Sequence, residues 1–382
     1  MTGIVKLDEI QNNAGTTILA KLENGVLTGV LSPATGFRNR IINGDMRIDQ
    51  RNAGASVTPS VSGTYTLDRF LTNFTQASKF SVQQNAGSVT PPDGFKNYLG
   101  VTSLAATTVG SGDFFAVQHV IEGFNISDFG FGTVSAQAIT LSFNVRSSLT
   151  GTFGGCVTNG AHNRSYPFTF TVNTANTFER KTVTIAGDTA GTWATDNTAG
   201  VRIWFGLGAG STYSGAAGAW AGSTLISATG ATSVVGTSGA TFYITGVQLE
   251  KGTVATPFEF RSIGQELALC QRYYYRITAP ATQYLTPSLW VTASTTAKGT
   301  TAFPVTMRTS PSALEQTGTA SNYRVFSGNS ITVCSAVPAF DNATQNMASF
   351  NLTVASGLTV GQGGAALAGS ATSGYLAWSV EL

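Results

Sequence analysis

The side chains that could carry chemistry in this sequence are few and widely spaced. Its 382 residues include 19 Asp and Glu, two His and three Cys. Glycoside hydrolysis needs two carboxylates about 5 to 10 Å apart across one bond. Asp45 with Asp49, and Asp188 with Asp196, are the pairs the sequence offers. The first pair lies in Arg38–Arg51 among four arginines, a composition that predicts a self-neutralising structural cluster. Asp188 follows Gly187, where placement in a turn is explanation enough. His119 and His162 are isolated, and no carboxylate stands at the spacing a two-histidine metal centre needs. His119 falls within the apolar run Phe114–Ile121, which predicts a satisfied strand histidine. Cys156, Cys270 and Cys334 form no CxxC pair and read as buried free thiols.

No G-x-S-x-G elbow and no phosphate-binding loop occurs. Gly361–Ala366 fits G-x-G-x-x-A but lies in an all-β segment, without the helix that dinucleotide binding requires. An enzyme is therefore not expected, nor a cofactor. Sugar recognition without hydrolysis fits better, because aromatic rings stack on sugar C–H faces while Asn, Ser and Thr supply neutral donors. Tyr213 and Trp220 stand among small residues in 203–249, a stretch with no charged side chain at all. Each serves either as an exposed platform or as a plug under its loop, the commoner use of a lone aromatic. Tyr284 and Trp290 are the matching candidates further on. A structural calcium ion is one further expectation, with Asp45 near the first strand and Glu250 on the last, since first and last strands often pair. Calcium takes six to eight oxygens, and no dense ligand loop appears.

The elements that must hold these residues are strands. Charged residues make up 10% of the chain, against roughly 25% in an ordinary domain. Apolar residues reach 42%, with 44 Gly, so the chain is not a disordered polyampholyte. A net charge of +2 without clustered Lys or Arg argues against nucleic acid. No run approaches the roughly 18 to 20 apolar residues of a membrane helix. Acidic residues stand where a signal peptide would be apolar, so no membrane insertion is expected.

Residues 1–36 carry short apolar stretches at Ile4–Leu7, Thr17–Leu22 and Gly25–Leu31, too little to bury a core alone. They read as an attachment or trimerisation arm. From 37 to 261 period-two alternation recurs, as in Ile139–Arg146, Phe168–Val172 and Val201–Leu207. The phase slips beside Gly246, which predicts a β-bulge. Trp204 alternates out of phase with Ile203 and Phe205, so it covers the opposite face. An antiparallel, jelly-roll-like sandwich follows. Ser262–Gln265 has capping-box form, predicting a short linking helix over 262–275 whose buried face is Ile263, Leu267, Cys270 and Tyr274. A small all-β domain fills 276–382, with alternation at Phe303–Met307, Phe350–Val354 and Leu376–Leu382. From Ile277 onward only six charges remain, a surface that oligomerisation would cover.

Phe37–Arg51, then Tyr65–Phe70, resembles the opening of a β-sandwich domain common in bacteriophage tail fibres. Ile244–Glu259 is similar to that domain's closing strand, and Glu266–Tyr274 to the helical segment that follows. Met1–Leu31 resembles N-terminal segments of marine phage fibres, and Phe303–Ser312 their distal β domain. The resemblance implies a virion protein made in the host cytoplasm. It would be a homotrimer attached to a tail or capsid protein through residues 1–36. Its sandwich would be like a carbohydrate-binding module, with host cell-surface glycan as ligand. A capsid fibre or adaptor without a receptor site is the alternative. A polysaccharide depolymerase would need a long parallel β-helix or a paired acidic site, and the sequence shows neither.

Overall fold

A computed structural model describes residues 38–369 and 374–382, together with the backbone of three strands nearer the N-terminus. Those strands, β1 (Glu9–Gln11), β2 (Thr17–Glu23) and β3 (Val26–Thr28), pair antiparallel in that order. The expected stretch Ile4–Leu7 lies outside the described residues. The chain is all-β, with multiple antiparallel sheets and one short α-helix.

The first body is a sandwich. Its strands are β4 (Thr64–Leu67), β5 (Phe70–Phe74), β6 (Phe80–Gln84), β7 (Leu99–Ser103), β8 (Phe114–Glu122) and β9 (Ile139–Ser147). They continue with β10 (Gly151–Asn159), β11 (Ser165–Val172), β12 (Glu179–Ile185) and β13 (Ala199–Ala209). After a short excursion, β14 (Ser214–Gly215) and β15 (Ser227–Ala228), β16 (Thr241–Lys251) closes it. One sheet runs β11-β10-β13-β8-β5-β4 and the other β12-β9-β16-β7-β6. Alternate residues such as Leu141, Phe143, Val145, Ile203, Phe205 and Phe242 fill the space between the sheets. The slipped phase is a register shift between Thr245 and Gln248. Gly246 there has φ 62°, and an added Cβ would meet Phe95 at 2.6 Å, so both backbone and packing require glycine. Trp204 lies on the outer face beneath the excursion, packed with Cys156 and Ile226.

Helix α1 (Ile263–Gln271) follows, capped at Ser262, whose hydroxyl accepts from the Gln265 N–H. Its buried face is partly the expected one, since Cys270 and Tyr274 are buried and Leu267 packs beside them. Ile263 is 55% exposed, while Glu266, Cys270 and Tyr273 turn inward. A carboxylate is tolerated there because Glu266 accepts from the Asn43 N–H and pairs with Arg261.

The second body comprises β17 (Tyr274–Ala279), β18 (Tyr284–Ala293), β19 (Thr296–Ala302), β20 (Glu315–Gln316) and β21 (Tyr323–Ser327). It ends with β22 (Ser330–Val333), β23 (Ala339–Ala343), β24 (Met347–Thr353), β25 (Gly363–Ala368) and β26 (Gly374–Ser379). A seven-stranded sheet, β22-β21-β25-β18-β19-β24-β23, accompanies a smaller one, β17-β26-β20. Their shared core is built around Trp378, Phe350 and Leu376. The expected strand at Phe303–Met307 is irregular chain: Phe303 and Met307 are buried, but Pro304 interrupts the ladder.

Charge gathers where the two bodies meet. The hairpin between β4 and β5 turns on Asp68 and Arg69, both fully buried, with Arg69 at φ 68°. Arg69 pairs with Glu381, donates to the Val120 carbonyl at 2.5 Å and stacks 3.6 Å over the Tyr273 ring. Burial pulls the Arg69 guanidinium down, but Glu381 with Tyr273 and Tyr65 outweighs it, so its pKa lies above the ordinary value. Arg51 reaches the same carboxylate at 3.1 Å and stacks over Tyr274. Glu122, at the end of β8, accepts from Arg272 Nε and Nη2 and from the Tyr273 hydroxyl. The Arg38–Arg51 segment is therefore not the self-neutralising cluster its composition suggests. Among the described residues Arg47 pairs inside it, with Asp45, while Arg40 reaches Asp128 and Arg51 reaches Glu381.

Replacing Glu381 by Gln preserves volume but strands Arg69 without a counter-charge. A loss of about 3–5 kcal/mol is expected, read as an earlier midpoint in chemical unfolding. Adding Arg69→Met should recover part of it, since only Arg51 then lacks the Glu381 carboxylate, and it still has Glu315 at 3.9 Å. A Glu381→Gln variant as stable as the parent would show that the pair does not hold the junction.

Candidate functional site

The four aromatic candidates fall into three separate places. Tyr213 packs edge-on to Phe114, with ring centroids 4.8 Å apart, in the cluster that covers Trp204. Trp220 is enclosed by Phe131, Tyr166 and Trp193, and its ring N–H donates to the Ala186 carbonyl at 2.7 Å. Both rings thus pack against the sandwich. Tyr284 and Trp290 differ: they are 59% and 41% exposed and lie on one strand, β18. They are six steps apart along the strand, about 20 Å, so they do not share one sugar ring.

Trp290 has a built surrounding. It sits on the outer face of the seven-stranded sheet, while its neighbours Leu289 and Val291 point into the core. Across the ladders it faces Lys298 on one side and Gly363 on the other. Gly363 has no side chain to cover the indole, and a Cβ there would find only the Leu289 carbonyl at 3.9 Å. Lys298 leans toward Asp341, with a 3.0 Å ion pair. Asp341 is the residue skipped where the β23–β24 register shifts, and a bulge re-aims its side chain across the sheet. Ser349 donates to it at 2.6 Å, and these hydrogen bonds from Ser349 and Lys298 hold its pKa below the ordinary carboxylate range. Trp290, Lys298, Thr300, Asp341, Asn342 and Ser349 line a depression of about 340 Å³. An aromatic face beside fixed, mostly neutral hydrogen-bonding groups suits a sugar better than a charged metabolite.

A second depression of about 290 Å³ lies on the outer face of the sandwich's five-stranded sheet. Phe95, Phe258 and Phe260 stack beside it with centroids 4.8 to 5.3 Å apart, and Phe260 is 54% exposed. Asp93, Ser142, Asn144 and Arg180 add polar groups to the lining. The sequence reading missed these rings. Phe258 and Phe260 alternate between Pro257 and Arg261, a one-sided aromatic pattern that could have flagged them.

The expected calcium pair is not assembled as a site. Asp45 is buried against Arg47, and burial is the main cause of its raised pKa. Glu250 accepts the Thr256 N–H at 2.8 Å, its hydroxyl at 2.7 Å and the Gln248 amide at 3.0 Å. Among the described residues no group of three or more His, Cys, Asp or Glu could hold a metal ion. The nominated hydrolytic carboxylates are engaged as well. Asp49 accepts the Asn52 and Gly54 N–H groups, and Asp196 caps Thr198. Asp188 is more than a turn residue, because it makes a two-pronged ion pair with Arg164 at 2.7 Å. His119 is buried, with Nδ1 2.9 Å from the Arg69 carbonyl, and burial holds it neutral.

No protein-family model matches the sequence, and no curated protein matches it. Solved structures give distant likenesses. The enzymatically active domain of bacteriophage CBA120 tailspike protein 4 is 12% identical over 51% of this chain and 21% of its own, with a TM-score of 0.28. This chain thus spans about a fifth of that domain's length. The family 11 carbohydrate-binding module from Clostridium thermocellum is 9% identical over 54% of this chain and 100% of its own (TM-score 0.27). The N-terminal cellulose-binding domain of Cellulomonas fimi β-1,4-glucanase C is 17% identical over 47% and 91% (TM-score 0.22).

If Trp290 is held for contact rather than for packing, Trp290→Ala should change stability by no more than about 0.5 kcal/mol. Trp378→Ala, at a fully buried ring, should cost about 3–5 kcal/mol. Thermal unfolding of the two variants gives the comparison, and a large loss from Trp290→Ala would make that ring structural.

Proposed function

We propose that this chain is a phage tail fibre protein that binds host-surface glycan without cleaving it. The observation that carries this reading is the indole of Trp290. It lies open on the outer face of a sheet, beside a bulge-positioned carboxylate and its lysine. A second aromatic depression on the sandwich supports it. So does the near absence of charge over 203–249 and the C-terminal region, which fits neutral ligands. The tail fibre assignment rests on the resemblance of the sequence motifs and their order along the chain. In this reading residues 1–36 attach the protein to the virion as a homotrimer. Trimer avidity then raises the effective strength of shallow, individually weak sites.

Fluorescently labelled protein should decorate host cells, and phage lacking it should adsorb poorly. Trp290→Ala should weaken cell binding by roughly tenfold, the scale of a central aromatic contact. Protein lacking residues 1–36 should fail to enter particles and, without the avidity of the trimer, should bind cells more weakly. Absent labelling, together with normal adsorption of phage lacking the protein, would sink the receptor reading in favour of a capsid fibre or adaptor.

A further inference from the structure

The depression beside Trp290 has two apolar ends and a polar middle. Trp290 pairs with Lys298 on β19, and Lys298 with Asn351 on β24. Further along the same face of β24 come Ser349 and then Met347, at steps of about 6.6 Å. The depression therefore runs from an indole at one end to a thioether at the other, with Lys298, Asp341 and Ser349 between them. Met347 is 49% exposed and does not belong to the core of its body.

The polar middle is selective in what it leaves free. Asp341 accepts from Lys298 at 3.0 and 3.1 Å, from Ser349 at 2.6 Å and from Asn351 at 3.4 Å, so both its oxygens are engaged. An ammonium has three N–H donors, and Lys298 uses at most two of them on that carboxylate. The Asn342 side-chain oxygen accepts the Ala343 N–H at 2.8 Å, while its NH2 group makes no hydrogen bond with a described residue. The Thr300 and Ser288 hydroxyls satisfy one another at 3.0 Å. What a ligand meets is chiefly donors, one on an ammonium and two on an amide. The charged residues of the lining are Lys298 and Asp341, and they cancel.

These features sort sugars by class. A uronic or sialic acid would bring its carboxylate beside Asp341, like charge against like. A plain hexose would set hydroxyls against the Met347 thioether, where they lose water and gain no partner. A 6-deoxy sugar offers a methyl group but no carbonyl for the free donors. An acetamido group offers both, and adds no charge. We propose that the Trp290 depression selects a 2-acetamido sugar, an N-acetylhexosamine. Its pyranose C–H face lies on Trp290, its acetamido carbonyl accepts from Lys298 and Asn342, and its methyl packs on Met347. The inference rests on the glycan reading above and adds to it the class of sugar residue recognised.

The test uses the whole chain with carbon-13 in its methionine methyl groups. Met347 is the reporter, and the fully buried Met46 and Met307 are the references. N-acetylglucosamine or N-acetylgalactosamine should shift the Met347 methyl in a saturable way and leave both references unmoved. Glucose, galactose and rhamnose should bind roughly tenfold more weakly, since each lacks the acetamido contacts. Asn342→Asp keeps the bond to Ala343 but removes the free donors, and Met347→Ser removes the thioether. Each should weaken the acetamido sugar about fivefold, the scale of one lost contact, read by saturation transfer to its methyl group. Both positions are exposed, so unfolding midpoints should not move. Trp290→Ala should abolish the Met347 shift. Glucose or galactose acting as strongly as the acetamido sugars would overturn the proposal, and so would rhamnose. Undiminished binding by both Asn342→Asp and Met347→Ser would overturn it too. Host cells labelled through Trp290, with neither acetamido sugar shifting Met347, would reject this class of sugar while sparing the glycan reading.

Discussion

The architecture depends on one buried ion pair, Arg69 with Glu381. It joins a hairpin tip of the sandwich to the closing segment of the C-terminal body, 312 residues further along the chain. A charge taken out of water is tolerated only when its partner and remaining donors are satisfied. Here the guanidinium has a carboxylate, a carbonyl and an aromatic face, supplied by Glu381, Val120 and Tyr273. Those partners come from three separate elements, so the pair forms only when all three are in place. Arg51, Glu122 and Arg272 repeat the arrangement around it.

This explains where the scarce charge goes. Along the sequence it is uneven: the arm and Arg38–Arg51 are normally charged, while residues 203–249 and the last hundred or so are nearly bare. In space many of the charges meet at the junction of the two bodies, where they lock one orientation. The outward sheet faces carry Trp290 and Phe260 among neutral hydrogen-bonding side chains and a few charges, the Lys298–Asp341 pair by one ring and Arg180 and Asp93 by the other. A protein that binds through shallow sites on both bodies, as proposed above, gains from such a lock.

The motif residues acquire physical roles in the same way. Asn39 bonds the Ile41 and Leu249 N–H groups and the Val247 carbonyl, fastening the segment before β4 to the closing strand. Asn43 does the same for Ile48 and Asp68. Arg261 reaches the Ile41 carbonyl and Glu266. The stretches that resemble tail fibre sequences are thus largely the polar parts that close the sandwich and attach its neighbour. They describe a scaffold, and scaffold motifs leave the ligand unspecified.

Strand content, the bulge at Gly246, the capped helix and the reversed face of Trp204 were all legible in the sequence. Each follows from local rules: period-two alternation, a phase slip at glycine, and a serine three residues before a glutamine. The strand expected at Phe303 failed on an equally local point, since Pro304 cannot donate to a ladder. The helix face was partly misread because hydrophobic periodicity has no term for a buried glutamate satisfied by Asn43 and Arg261. Composition paired the arginines of Arg38–Arg51 with their nearest acids, whereas the fold sent them to Asp128 and Glu381. The candidate sites divide along the same line. Trp290 could be nominated from its type, but its surroundings come from strands 50 residues away and from a bulge that re-aims Asp341. The sequence alone determined which segments become strands, because that depends on neighbours in the chain. Which charges pair, and which rings stay open, depends on neighbours in space, and only the tertiary structure decided it.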